Sequence, residues 1–138
     1  MADTLKLEIV TPQATVVSED VHMVTLPAAE GEIGIYPGHV RLITRVVPGE
    51  IIVTKSGVDS ALAVGDGLIE VTPTQVSILT DMAIRAEQID EAAVEEARQR
   101  AAARLRDKIS DEEVATVNAS MVRALAQLQV KRRQRGKI

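Results

Sequence analysis

The stretch VSILTDMAIRAEQIDEAA, from Val76 to Ala93, contains the change of pattern that decides the fold. Its beginning belongs to a region of short, alternating apolar segments, a pattern typical of strands with one buried face. From Gln88 the chain is rich in Ala, Glu and Arg and contains no Gly or Pro until Gly136, which favours helix. The sequence therefore predicts an α+β protein in two parts, a β-sheet domain over residues 1–87 and a helical domain over residues 88–138.

The first part is expected to be an antiparallel β-sandwich. Leu5, Leu7 and Ile9 alternate with polar residues, and the five prolines of the chain fall between the alternating segments. Lys55-Ser56-Gly57 and Gly65-Asp66-Gly67 have the composition of hairpin turns. About seven or more strands are expected at this spacing, among them residues 5–9, 21–26, 41–47, 50–55, 67–72 and 76–80.

The second part is expected to be an antiparallel pair of helices. Asp90 is a candidate N-cap of the first helix, and the Ser110 to Glu113 segment is a candidate capping box for the second. The expected apolar stripes are Ala93, Ala97, Ala101, Leu105 and Ile109 on a first helix of about five turns, and Val114, Val117, Met121, Leu125 and Leu128 on the second. Because alanine buries little surface, the hairpin is expected to be held weakly on the sandwich.

The composition limits the kinds of site that the chain can carry. Tyr36 is the only aromatic residue among 138, and there is no Cys. Without Cys there is no disulfide or thiolate metal site, and His22 and His39 are too few for a histidine cluster, so no metal is expected. No apolar run approaches the roughly 18 residues of a membrane-spanning helix and the opening lacks a signal sequence, so we expect a cytoplasmic protein without direct membrane insertion.

The net charge of −4 is divided unevenly between the two parts. Residues 1–89 hold 12 acidic and 5 basic side chains, a net −7, whereas residues 90–138 hold 8 and 11, a net +3. Such a difference often separates units with different partners. The basic end, Lys131 to Lys137, is either a solvated helix end, a surface for an acidic protein or a nucleic-acid contact, and the scarcity of aromatic residues disfavours nucleic acid.

No catalytic constellation is found in the sequence. The only Gly-Lys pair, Gly136-Lys137, lacks the preceding glycine of a phosphate loop. Carboxylate pairs such as Glu95-Glu96 lie among arginines, where a solvated helix face is the simpler interpretation. We therefore expect a protein that is not itself an enzyme.

One segment between strands stands out from this plain background. GEIGIYPGH, from Gly31 to His39, combines three glycines, a proline, the only aromatic residue and one of the two histidines. Either the glycines serve tight turns and His39 bonds locally, or the segment is an exposed loop shaped to dock onto another protein.

Four segments resemble, in order and spacing, the epsilon subunit family of bacterial F-type ATP synthase, equivalent to the mitochondrial delta subunit. They are LEIVTP from Leu7 to Pro12, GEIGIYPGH, GLIEV from Gly67 to Val71, and the stretch VSILTDMAIRAEQIDEAA quoted first. The resemblance covers essentially the whole chain. It implies a ten-strand sandwich followed by a two-helix hairpin. It also implies a non-catalytic rotor subunit of the central stalk, on the cytoplasmic face of the cell membrane, that helps to couple c-ring rotation to the catalytic head.

The resemblance further implies partners and site residues. The γ subunit is expected on one face of the sandwich and the c-ring at one end, with Glu32 at the c-ring contact and His39 near the junction of γ and the ring. The hairpin is expected to inhibit ATP hydrolysis when it extends towards the β and α subunits, where basic side chains meet acidic segments. The arginines placed for this role are Arg98, Arg100, Arg104, Arg106 and Arg123.

Nucleotide binding is expected to be weak or absent. Some family members bind ATP through a motif of the form Ile/Leu-Asp-x-x-Arg-Ala, whereas this chain continues from Ile89-Asp90 to Ala93-Val94. Ile89 and Asp90 match the motif, and Arg100 is a candidate phosphate ligand. The loss of the central arginine removes a charge-assisted donor, so no cofactor is expected.

Overall fold

The computed structural model describes residues 3–136, which form ten strands followed by two helices. A 3₁₀ turn at Ala86–Gln88 joins the last strand to the first helix. The strands are β1 (Leu5–Val10), β2 (Thr15–Val21), β3 (Met23–Ala28), β4 (Gly31–Ile35), β5 (Leu42–Val46), β6 (Gly49–Lys55), β7 (Val58–Val64), β8 (Gly67–Val71), β9 (Gln75–Thr80) and β10 (Ala83–Arg85), and the helices are α1 (Glu91–Arg104) and α2 (Asp111–Arg135).

The strands are arranged as a sandwich, as predicted. One layer has the order β10-β7-β6-β3, with β4 also paired to β3, and the other has the order β5-β8-β9-β1-β2. The pair Ala28 and Val46 joins the two layers between β3 and β5. One pairing differs from the antiparallel expectation, because β1 and β9 run parallel, with Leu7 opposite Val76. These two strands are far apart in sequence, so no hairpin forces them to be antiparallel.

Aliphatic side chains form the hydrophobic core between the layers. Inward-facing residues such as Ile9, Ile69 and Ile78 are at most 1% exposed. Gly67 at the start of β8 is required by close packing, because a Cβ there would collide with the backbone carbonyl of Leu79. The fully buried core therefore needs no aromatic residue, which accounts for a composition with a single Tyr.

Two details of the sandwich correct the sequence interpretation. The segment Gly31–Ile35 is strand β4 rather than loop, because Ile33 and Ile35 face inward and pair opposite Leu26 and Val24. Gly65-Asp66-Gly67 is not a hairpin turn, since β7 and β8 lie in different layers and the chain crosses between them. By contrast, the hairpin turn predicted at Lys55-Ser56-Gly57 is present between β6 and β7, and its two loop residues, Ser56 and Gly57, have φ values of 53° and 77°.

Both predicted N-caps are present in the structure, but the predicted capping box is not closed. Asp90 accepts a hydrogen bond from the backbone N–H of Ala93 at 3.1 Å, and Ser110 accepts from that of Glu113 at 3.2 Å. The carboxylate of Glu113 accepts from Arg104 at 2.6 Å instead of closing the capping box. The first helix ends at Arg104, short of the predicted five turns, and the chain is non-helical up to Ser110, the extended N-cap of α2.

The predicted stripes on the helices are only partly correct. In α2, Leu125 is 41% exposed, whereas the buried residues are Ala124, Ala126, Leu128 and Val130. The second half of α2 contacts both α1 and the sheet, so its buried face is broader than a single stripe. Among the described residues α1 has no buried side chain, and Ala93 is exposed. The hairpin is thus attached to the sandwich mainly through the second half of α2.

Candidate functional site

The outer face of one sandwich layer carries an exposed apolar patch, formed by Ile43 on β5, Leu68 on β8 and Leu79 on β9. Their exposed fractions are 67%, 44% and 54%. Leu68 lies directly opposite Leu79 across the strand pair, and Ile43 is the diagonal neighbour of Leu68. Exposed aliphatic side chains on neighbouring strands of one sheet face are typical of a protein contact.

The inward residues of these strands determine which side chains form the patch. Ile69 and Ile78 are opposite each other in the core, so the strand period of two turns Leu68 and Leu79 outward. An Ile-Leu pair within a strand places one large apolar side chain on each face. That signal is present in the sequence at residues 68–69 and 78–79, but the sequence interpretation did not use it.

The opposite layer is covered by the hairpin. Ala61 and Ala63 on the outer face of β7 are 4% and 0% exposed, and they belong to one apolar cluster with Ala86, Ile89 and Val130. The sandwich therefore has one outer face occupied by α2 and one that presents the exposed apolar patch.

Glu32 lies near the start of β4, and His39 lies in the loop that follows the end of that strand. Ile33, Gly34 and Ile35 separate Glu32 from the loop that holds His39, a length of about 10 Å along the strand. Nδ1 of His39 lies 2.7 Å from the carbonyl oxygen of Val40. Because a carbonyl only accepts, this nitrogen carries the proton, and in the neutral ring Nε2 remains the acceptor. The two residues are thus separate positions on the surface and do not form one site.

Four of the five hairpin arginines already have carboxylate partners. Arg106 has no ion pair among residues 3–136. The hydrogen bond and charge of Arg98 lower the pKa of the Glu95 carboxyl, so this pair is ionised at neutral pH. Most of these contacts are partly or fully exposed, and such pairs exchange partners at little cost. The pairs are Arg98 with Glu95 at 2.5 Å, Arg100 with Glu96 at 3.1 Å, Arg104 with Glu113 at 2.6 Å and Arg123 with Asp81 at 3.5 Å.

The residues considered for nucleotide binding are not brought together. Ile89 is 4% exposed and packs in the cluster beneath α2. The Asp90 carboxylate caps α1, and Arg100 lies ten residues further along the helix, which corresponds to a rise of about 15 Å. In addition, Arg100 pairs with Glu96. Among residues 3–136 there is also no group of three or more His, Asp or Glu side chains suited to holding a metal ion.

A cleft of about 180 Å³ lies where the end of α2 meets the sandwich, and it was not foreseen from the sequence. Glu32, Glu50, Gln129 and Arg133 are among its lining residues. Glu50 on β6 is bonded there to Arg133. In the sequence, Glu50 and Arg133 look like many other charged residues. Their pairing is therefore revealed only by the tertiary structure.

Two family profiles together match most of the chain. The first, described as the beta-sandwich domain of the ATP synthase Delta/Epsilon chain, matches residues 4–86, and the second, described as its long alpha-helix domain, matches residues 87–132. The ATP synthase epsilon chain of Herpetosiphon aurantiacus is 42% identical over 133 residues, which cover 96% of this chain and 98% of the relative. That of Alkalilimnicola ehrlichii is 40% identical over 133 residues, with 96% and 95% covered. The chain therefore belongs to the ATP synthase delta/epsilon family.

Solved structures confirm the fold. A chain of the Euglena gracilis mitochondrial ATP synthase, in a structure of OSCP, F1 and c-ring, has a TM-score of 0.67 and 20% identity, with 99% of this chain and 82% of that chain covered. A chain from the central stalk and c-ring of the Tetrahymena thermophila enzyme has a TM-score of 0.59 and 10% identity, with 92% and 96% covered. Family membership also confirms the prediction of a non-catalytic subunit of an enzyme complex. No helix within residues 3–136 is both long and apolar enough to cross a membrane.

Proposed function

We propose that this chain is a rotor subunit in the central stalk of an F-type ATP synthase, on the cytoplasmic face of the membrane, where it couples c-ring rotation to the catalytic head. The observation that carries this proposal is the exposed apolar patch on the sandwich face that the hairpin leaves open. A rotor subunit must be fixed to a neighbouring subunit, and a rigid sheet with outward aliphatic side chains suits that purpose.

The γ subunit is the proposed partner of the exposed apolar patch. Arg45 and Asp66 form an ion pair of 2.8 Å on the same layer, with Arg45 opposite Leu68 in the strand register. An apolar centre with a charged border has the organisation of a protein interface. The hairpin occupies the other face, so γ binding to the patch does not require the hairpin to move.

The c-ring is proposed to contact the end of the sandwich that carries Glu32. This side chain is exposed, next to the turn between β3 and β4. His39 lies beyond the far end of β4, in a loop with the exposed side chains of Tyr36 and Val40. We assign His39 to the junction of γ and the ring. The solved structures of similar fold support partners of this kind, since one is of OSCP, F1 and the c-ring and the other is of the central stalk and c-ring.

The hairpin is proposed to inhibit ATP hydrolysis when it leaves the sandwich. The arginine pairs described above are largely within the hairpin, so a lifted hairpin retains its helices and still carries Arg98, Arg100, Arg104, Arg106 and Arg123. Acidic segments of the β and α subunits are the proposed partners of these side chains. Exchange of one exposed pair for another is nearly neutral in energy, so small differences in affinity shift the population.

Co-purification tests the rotor function. The chain, produced together with γ and the c-ring, is expected to be retained with both after washing at moderate salt. Recovery of the chain without γ contradicts the proposal. The basic end of α2 offers the alternative of a nucleic-acid adaptor, and a salt-dependent mobility shift with DNA or RNA would favour that alternative.

Calorimetric titration of the isolated chain with ATP is expected to give no binding at micromolar concentration. Asp90 is engaged as a helix cap, Arg100 pairs with Glu96, and the motif position at Ala93 lacks a guanidinium. The variant Ala93→Arg restores the motif residue and serves as the comparison. Micromolar affinity in the unmodified chain would show that other residues form a nucleotide site.

A further inference from the structure

The contact between α2 and the sandwich contains one carboxylate that is nearly buried. The side chain of Glu50 on β6 is 11% exposed beneath the helix. One of its oxygens accepts a hydrogen bond from Nη1 of Arg133 at 2.8 Å, and the other accepts from Nε2 of Gln134 at 3.2 Å. Two adjacent residues of α2 therefore hold both oxygens of a single carboxylate.

The fully buried apolar part of this contact consists mostly of small side chains, and the larger ones around it are only partly buried: Ile52, Met82, Ile84 and Val94. Three of the five buried members of the cluster under α2 are alanines, at positions 61, 63 and 86, and the others are Ile89 and Val130. Alanine side chains contribute little burial energy each, and a smooth alanine surface does little to fix the position of a helix along it. Polar contacts with a defined geometry therefore help to fix where α2 docks.

The remaining polar contacts between the two parts differ from the one at Glu50. The pair Arg123 and Asp81 is 3.5 Å long, with side chains 33% and 46% exposed, so water screens it and it contributes little. Nζ of Lys131 donates to the carbonyl oxygen of Ala86 at 3.1 Å. Glu50 is the less exposed carboxylate of the two ion pairs, at 11%, and it is held by Arg133 and Gln134, of which Arg133 is itself 64% exposed.

We infer that Glu50, Arg133 and Gln134 form a latch that holds the hairpin on the sandwich in one register. A nearly buried carboxylate without a cation is unfavourable, so α2 docks where Arg133 reaches Glu50. Arg133 is not one of the five arginines proposed to meet partner carboxylates, so the latch and the inhibitory contacts use different side chains. The regulatory meaning of the latch rests on the proposed function, whereas the latch itself is a property of the free chain.

Labelling of a thiol placed beneath α2 tests the latch. The chain has no Cys, so Ala61→Cys provides a single thiol, and Ala61 is only 4% exposed while the hairpin is docked. In this full-length background, Arg133→Ala is expected to raise the alkylation rate about tenfold, because docking would bury Glu50 without its cation. Adding Glu50→Ala is expected to restore slow labelling, because the uncompensated carboxylate is then gone.

Arg123→Ala is the matched control, since it removes an arginine that also contacts the sandwich but leaves a carboxylate, Asp81, that is 46% exposed, and its alkylation rate is expected to stay within about twofold. Amide hydrogen exchange over residues 124–134, in chains without the added Cys, is expected to quicken with Arg133→Ala and to recover in the double variant. Equal labelling of Arg133→Ala and its background, or a double variant that labels as fast as Arg133→Ala, overturns the latch. If the free hairpin opens while hydrolysis by the assembled complex is unchanged, the latch stands and the inhibitory function fails.

Discussion

Deletion of residues 89–138 is expected to raise ATP hydrolysis by the assembled complex several-fold while the sandwich remains folded and bound. The main core cluster lies between the two sheet layers, and its members run from Leu5 to Ala83 without any hairpin residue. The deletion uncovers a mainly small apolar surface at Ala61 and Ala63. The measurement is the hydrolysis rate of purified complex with the full-length and the shortened chain, at equal occupancy of the subunit.

A charge variant separates two ways in which the hairpin acts on hydrolysis. If its arginines bind acidic segments, replacing Arg98, Arg100 and Arg106 by glutamine should raise hydrolysis towards the level of the deletion, since among residues 3–136 these three side chains form no hydrogen bond or ion pair with the sandwich. If the bulk of the hairpin blocks the head, the glutamine variant should keep the original low rate. For the deletion of residues 89–138, an unchanged hydrolysis rate in a complex that still contains the shortened chain would mean that the hairpin has only a structural role.

The two-part fold was predictable because each part has a strong local signal. The alternation at Leu5, Leu7 and Ile9 and the caps at Asp90 and Ser110 all correspond to contacts in the structure. Local sequence patterns predicted the buried residues least well where one segment packs against two other elements. The second half of α2 contacts both α1 and the sheet, so a single helical stripe did not identify its buried residues.

The candidate sites depend on contacts between residues distant in sequence, and these were harder to predict. Glu50 and Arg133 are separated by more than half of the chain, and only the docking of α2 on β6 brings them to 2.8 Å. The glycines in and around β4 favour turns in the sequence, whereas the spacing of Ile33 and Ile35 fits the strand that the structure has there. The exposed apolar patch has a signal in the sequence, because the adjacent apolar residues Ile78 and Leu79 in one strand must point to opposite faces, and Ile78 is buried.

Leu79→Asp is expected to abolish stable binding of the chain to γ without unfolding it. Leu79 is 54% exposed in the free chain, so the substitution costs the isolated sandwich little, within about 1 kcal/mol for a strand surface position. At the centre of an interface the same change replaces a buried apolar anchor with an unpaired charge. Losses of about 2–4 kcal/mol, or about 30- to 1,000-fold in affinity, are typical of such central positions.

Val58→Asp is the matched control for this prediction. Val58 is 69% exposed on β7, in the other layer of the sandwich, so it receives the same chemical change outside the exposed apolar patch. Titration of each labelled chain with γ should give near-normal affinity for Val58→Asp and a large loss for Leu79→Asp, with both thermal unfolding midpoints close to that of the parent chain. If both variants bind normally, γ does not use the patch. A specific contact at Leu79 would weaken binding only in Leu79→Asp. Equal losses of affinity in both variants would therefore indicate an effect of net charge.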